Sequence, residues 1–145
     1  MLTWFPNPYP DELFYSVLCR YYLGSGIKEH YLVKKQLFGT KAGAKMATLY
    51  PNATIHAILS QLPAGVFDGR DMILHHTPFL YYARMHPQQE REVLLDDLLQ
   101  GRSKTPTHLW RTFPKGDYAL RYCPLCIQED TKIYGEAYYH VEHQI

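Results

Sequence analysis

Cysteine is scarce in this sequence, three residues in 145. Two of them stand as a metal-type pair, Cys123 and Cys126, while Cys19 lies in an apolar helical pattern with no partner suggested. That usage fits a reducing compartment, with cytoplasm as the expectation. Long apolar runs are missing too: none approaches the roughly 20 residues that span a bilayer, and no basic stretch followed by an apolar core reads as a secretion signal. Excess charge is also missing. A net charge of +1 and a pI near 7.8 argue neither for nor against nucleic acid. Nothing resembles a phosphate loop, a Ser-His-Asp set or a nucleophile elbow, so an enzyme is not expected.

What the chain does have is apolar residues, 46% of the total, enough for one ordinary domain or one with a small metal-held appendage. Its charge is unevenly spread. Lys28, Lys34, Lys35, Lys41 and Lys45 face one acid, Glu29, and Arg102, Lys104, Arg111, Lys115 and Arg121 face Asp117, while acids gather between Glu90 and Asp97. Such segments either form a basic face or are ordinary solvated charge. Lys28, Lys34, Lys35, Lys41, Lys45, Arg102, Lys104 and Arg111 are the candidate DNA- or partner-binding residues. The thirteen tyrosines suit core packing, base stacking or a protein interface.

Pro10 with Asp11 and Glu12 predicts a helix start, with Leu13, Phe14, Val17, Leu18 and Tyr21 on one face and Gly24 as the stop. A second helix is predicted from Lys28 to Leu37, with Ile27, Tyr31 and Leu32 inward, before a loop from Gly39 to Lys45. Asn52 is a candidate cap for a third helix carrying Ile55, Ile58, Leu59 and Leu62, closed by Pro63, and Asp68 for a short fourth. An aromatic patch follows Pro78, and Pro87 starts a helix that turns Val93, Leu94, Leu95, Leu98 and Leu99 inward before Gly101. Thr107 to Phe113 and Tyr118 to Tyr122 read as short extended pieces. The expected fold is mainly α: a helical domain over 1–101 with a helix-turn-helix-like element over 11–37, then a zinc-knuckle or ribbon segment with short strands over 102–145.

Cys123 and Cys126 are followed by His140 and His143 in the pattern Cys-x2-Cys-x13-His-x2-His. Two close pairs of thiolate and imidazole joined by a loop match a tetrahedral zinc site, and four protein ligands would make it structural. Metal would then supply stability that the few apolar residues after Tyr118 cannot. The competing enzyme reading is a zinc hydrolase with one open ligand position and Glu136 or Glu142 as general base. His75-His76 and the pairs Asp11-Glu12 and Asp96-Asp97 read as packing, a helix start and a solvated helix face.

The run from Phe5 to Gly26, Leu37 to Gly39, Thr48 to Pro51, His75 to Met85, and above all Leu120 to Ile145 with RYCPLC, then YGE and HQ, occur in order along nearly the whole chain. Together they resemble the N-terminal part of the TniQ/TnsD family of transposon target selectors. The resemblance implies recognition of target duplex DNA or a CRISPR effector, and recruitment of an AAA+ ATPase transposition regulator, with a homodimer as a further candidate assembly. It also implies a structural Zn2+ whose second ligand pair is a Cys-x2-His beyond the HQ. The chain is then expected to be a fragment that stops before that pair, or else a short variant in which His140 and His143 substitute. A protein-interaction module without DNA contact stays open beside the adaptor.

Overall fold

The computed structural model describes residues 2–39, 54–102 and 119–145. Seven α-helices lie within them: α1 (Phe14–Gly24), α2 (His30–Phe38), α3 (Thr54–Leu59), α4 (Gly69–His75), α5 (Phe79–Ala83), α6 (Gln88–Leu99) and α7 (Pro124–Tyr134), with a 3-10 turn at Glu142–Gln144. The mainly α expectation holds. The expected short strands are not seen: among the described residues the β pairing is a lone antiparallel bridge between Glu12 and His140.

The core joins Phe14, Val17, Leu18 and Tyr21 of α1 to Val33, Leu37 and Phe38 of α2, Ile55 and Ile58 of α3, Met72 and Ile73 of α4, Phe79 and Ala83 of α5, and Leu94, Leu95 and Leu98 of α6. Helix α3 packs on α2 and α6, and α4 on α5 and α6. An Arg70–Glu92 fork, 2.9 and 3.0 Å, links α4 to α6 on the surface. Asp68 caps α4 as expected, accepting the amide of Arg70 at 2.8 Å.

Three helix readings need correction. Pro10, Asp11 and Glu12 do not open α1, which starts at Phe14 without a capping side chain. Instead the amide of Leu13 donates to the Tyr139 carbonyl and that of Phe14 to the His76 carbonyl, each at 2.7 Å. Distant segments thus satisfy donors that a local cap would otherwise serve, and Asp11 and Glu12 are free to pair elsewhere. Helix α2 starts at His30 and buries Val33, Leu37 and Phe38, whereas Tyr31 and Leu32 are exposed. Val93 of α6 is exposed too, while Leu94, Leu95 and Leu98 are buried and Leu99 packs at the core's edge.

The Asn52 cap, the Thr107 to Phe113 piece, Tyr118 and the loop beyond Gly39 lie outside the described residues. Residues 119–122 form no strand. The Gln144 side chain pairs with both backbone groups of Arg121 instead, accepting its amide at 3.0 Å and donating to its carbonyl at 2.8 Å. A buried glutamine thereby replaces a strand partner. Helix α7 then follows, with Pro124 in its first turn and Gly135 as a left-handed C-cap at φ 79°.

Among the described residues no helix is long and apolar enough to cross a membrane.

Candidate metal centre

Cys123 is the N-cap residue of α7 and Cys126 lies in its first turn. Three residues along a helix is one turn, so the two thiols share a face. Free amides at that helix end draw the Cys123 thiol below the ordinary value of 9.0, with the Cys126 and Leu125 N–H groups as the main cause. Burial pushes the Cys126 thiol up, with the neighbouring Cys123 adding to it. One member of the pair is therefore predisposed to thiolate, and a second thiolate beside it calls for a cation.

His143, in the 3-10 turn after α7, completes this cluster. Its Nε2 lies 3.8 Å from Cys126 Sγ, and donor atoms of Cys123, Cys126 and His143 all lie within 4.8 Å of one another. Its Nδ1 is buried and, among the described residues, has no hydrogen-bond partner. Two sulfurs and an imidazole nitrogen brought this close are a donor set that fits zinc.

His140 stands apart. Its Nε2 is 2.9 Å from the buried carboxylate of Asp130, its Nδ1 3.5 Å from Asp11, and its ring stacks on Tyr138 at 4.5 Å. The structure thus brings together three of the four residues that the spacing nominated and engages the fourth with carboxylates. Glu136, a nominated base, is also engaged elsewhere, accepting from Arg20 Nε at 2.9 Å and from the Tyr9 hydroxyl at 2.8 Å. Glu142 lies 3.5 Å from His143. Cys19 takes no part in the cluster. It lines a pocket of about 340 Å³ with Arg20, Leu23, Tyr122 and Glu136, and burial raises its thiol.

Residues that the sequence placed at a helix start, took as packing or did not single out hold this segment against α1. Glu12 is fully buried and binds Arg20 Nη1 at 2.9 Å. Arg20 also donates to the Asn7 carbonyl at 3.0 Å and lies 3.8 Å over the Tyr9 ring. Tyr9 stacks on Tyr134 at 4.4 Å, and Tyr138 donates to the Pro10 carbonyl at 3.0 Å. Burial raises the Glu12 carboxyl above its ordinary 4.5, opposed by the Tyr9 amide and by Arg20. His76 is buried, as packing would have it, and its Nδ1–H donates to the Glu12 carbonyl at 2.7 Å. Only the tyrosine-rich composition hinted at such a cluster.

Of the candidate DNA- or partner-binding residues, Lys28 and Lys35 are exposed and Lys34 is half-buried. Arg20, Arg70 and Arg102 form ion pairs, and Lys28, Lys34 and Lys35 form none among the described residues. Arg102 binds Asp96 at 3.1 Å and Asp97 at 2.7 Å. Lys41, Lys45, Lys104 and Arg111 lie outside the described residues.

The TniQ family model matches residues 3–145. The chain is also similar to the transposon Tn7 transposition protein TnsD of Escherichia coli, 29% identical over 142 residues, which make up 93% of this chain and 27% of the relative. The chain therefore spans much less than half the length of that relative.

Proposed function

We propose that this chain, which belongs to the TniQ family, acts in transposition as a target-selection adaptor held together by a structural zinc ion. The match across residues 3–145 carries the functional reading, and the similarity to a Tn7 transposition protein agrees with it. On this reading the adaptor works in the cytoplasm, recognises target duplex DNA or a CRISPR effector, and recruits the AAA+ ATPase transposition regulator, with a homodimer as one assembly.

Cys123, Cys126 and His143 would hold the zinc, and a bound ion supplies a crosslink between α7 and the 3-10 turn. The chain's own residues would do the rest. Arg20 anchors the segment to α1 through Glu12 and Glu136, and Gln144 holds the Arg121 backbone on the approach to Cys123. Three ligands leave a fourth position, which this reading gives to a member of the second ligand pair that the family resemblance implies and not to a reacting water; of the two nominated bases, Glu136 is occupied by Arg20 and Tyr9. DNA contact is assigned to α1 and α2 as a helix-turn-helix-like pair. Lys28, Lys34 and Lys35 are without ion pairs among the described residues and would meet phosphates.

The test is target-selective transposition in cells with the rest of the system present. The adaptor reading expects loss of targeted insertion when this protein is deleted and when Cys123→Ser is introduced. Unchanged targeting in both would overturn it. Duplex DNA binding that weakens with salt separates the adaptor from an interaction module without DNA contact.

A further inference from the structure

We infer that the metal centre is also a redox switch, an inference that rests on the zinc reading above: hydrogen peroxide joins Cys123 and Cys126 in an intrachain disulfide and releases the ion. The two residues are placed for it. Cys123 is the N-cap of α7 and Cys126 lies in its first turn, with Pro124 between them setting the backbone of that turn. Residues three apart on a helix have Cα atoms about 5 Å apart, inside the window of about 4.4–6.8 Å that disulfides occupy. The two sulfurs and a ring nitrogen of His143 all lie within 4.8 Å of one another, so both side chains turn to one spot. Both cysteines are half-buried, and their neighbours Tyr122 and Leu125 are 62% and 70% exposed, which leaves the pair within reach of a small solute. Cys19, the third free thiol, lines the pocket beside Arg20 and lies outside the cluster.

Position also separates the roles of the two sulfurs. His143 Nε2 lies 3.8 Å from Cys126 Sγ and shields one side of it. Cys123, ahead of the first helical turn, takes the oxidant first. Its sulfur attacks one peroxide oxygen: an S–O bond forms, the O–O bond breaks, and hydroxide leaves. The Cys126 sulfur then attacks the Cys123 sulfur, forming the S–S bond as the S–O bond breaks and a second hydroxide leaves. Two electrons pass from the sulfurs to the peroxide. The products are the disulfide, two hydroxide ions and free Zn2+, because it is the thiolate that ligates a metal and the disulfide carries no charge to hold a cation. With the ion gone, α7 and the 3-10 turn Glu142–Gln144 lose their crosslink. A dithiol reverses the step by exchange and restores both thiols, and a reducing compartment supplies such reductants.

The experiment treats the purified, zinc-loaded chain with hydrogen peroxide, follows released zinc with a chromophoric chelator, and identifies the product by intact mass and non-reducing peptide mapping. The expected result is one zinc released per chain, a mass lower by two hydrogens than the metal-free dithiol, a Cys123–Cys126 disulfide in the map, and Cys19 still open to alkylation. Dithiothreitol with added Zn2+ should undo both changes. Cys126→Ser should stop at a sulfenic acid on Cys123 that dimedone captures, whereas Cys123→Ser should give no such adduct on Cys126. Where a serine variant unfolds, the map of the unsubstituted chain decides. Zinc retained through the treatment, a sulfinic acid or an interchain link in place of the disulfide, or pairing with Cys19 would each overturn the switch and leave the zinc reading standing. A chain that purifies folded and without zinc would overturn both.

Discussion

Arg20, itself partly exposed, holds the fully buried Glu12 in an ion pair, Nη1 to Oε2 at 2.9 Å, and the same guanidinium reaches Glu136 at 2.9 Å. Through it, α1 is tied to the residues just before it and to the segment that carries the candidate metal centre. Removing the arginine leaves a carboxylate in the interior without its cation. Arg20→Met is expected to cost about 3 kcal/mol at neutral pH, the lower end of the range for a broken buried pair, because Glu12 can escape by taking up a proton. Urea unfolding checks this, and a smaller loss at acidic pH should accompany it.

Glu12 also gives stability a pH slope. Its folded-state carboxyl titrates above the ordinary 4.5 because burial disfavours its charge. A raised value means that the protonated form suits the fold better. The contribution is therefore complete below pH 4.5 and lost as pH rises through the raised value. Glu12→Gln, neutral throughout, should flatten that fall in a series of unfolding curves taken from pH 4.5 upward.

Gly101 ends α6 at φ 69°, and a Cβ there would lie 2.8 Å from Cδ2 of His56. The imidazole cannot easily retreat, since its Nδ1–H donates to the Leu99 carbonyl at 2.7 Å. Gly101→Ala combines left-handed strain with a clash and should destabilise by about 1–3 kcal/mol. Thermal unfolding measures it. Gly135 serves as the control: its φ of 79° is similar, but among the described residues none beyond its chain neighbours comes within 4 Å of its Cβ position, so its alanine variant should cost less.

Lys34 and Lys35, if they meet phosphates, contribute affinity without sequence preference. Replacing either with alanine should weaken duplex DNA binding uniformly across sequences and reduce the magnitude of the salt-dependence slope by about one. Arg102→Ala, whose charge is already answered by Asp96 and Asp97, should change the slope less. Binding isotherms at several salt concentrations separate the two.

The helices were legible where one face alone is apolar. Leu94, Leu95 and Leu98 of α6 and the Asp68 cap follow from spacing and local chemistry. On α2, apolar residues occur on both sides, the exposed Tyr31 and Leu32 against the buried Val33, Leu37 and Phe38, so periodicity could not choose the buried one, whereas Ile27, ahead of the helix, does pack against the core. Asp11 and Glu12 after a proline look like a first turn, because the partners that claim them, Arg20, His140 and Val141, come together only in the fold. The cysteine pair was legible because Cys-x2-Cys is a metal-ligand spacing, whereas the helix that carries it was not. His140 and His143 were not separable by spacing: what divides them is Asp130, which draws the first away while the second lies beside Cys126.

The most direct measurement is zinc content per purified chain across three variants. The account predicts one zinc per chain, lost in Cys123→Ser and in His143→Ala and retained in His140→Ala, with unfolding when the ion is chelated. A folded chain without zinc, or zinc that survives His143→Ala and disappears with His140→Ala, would contradict it.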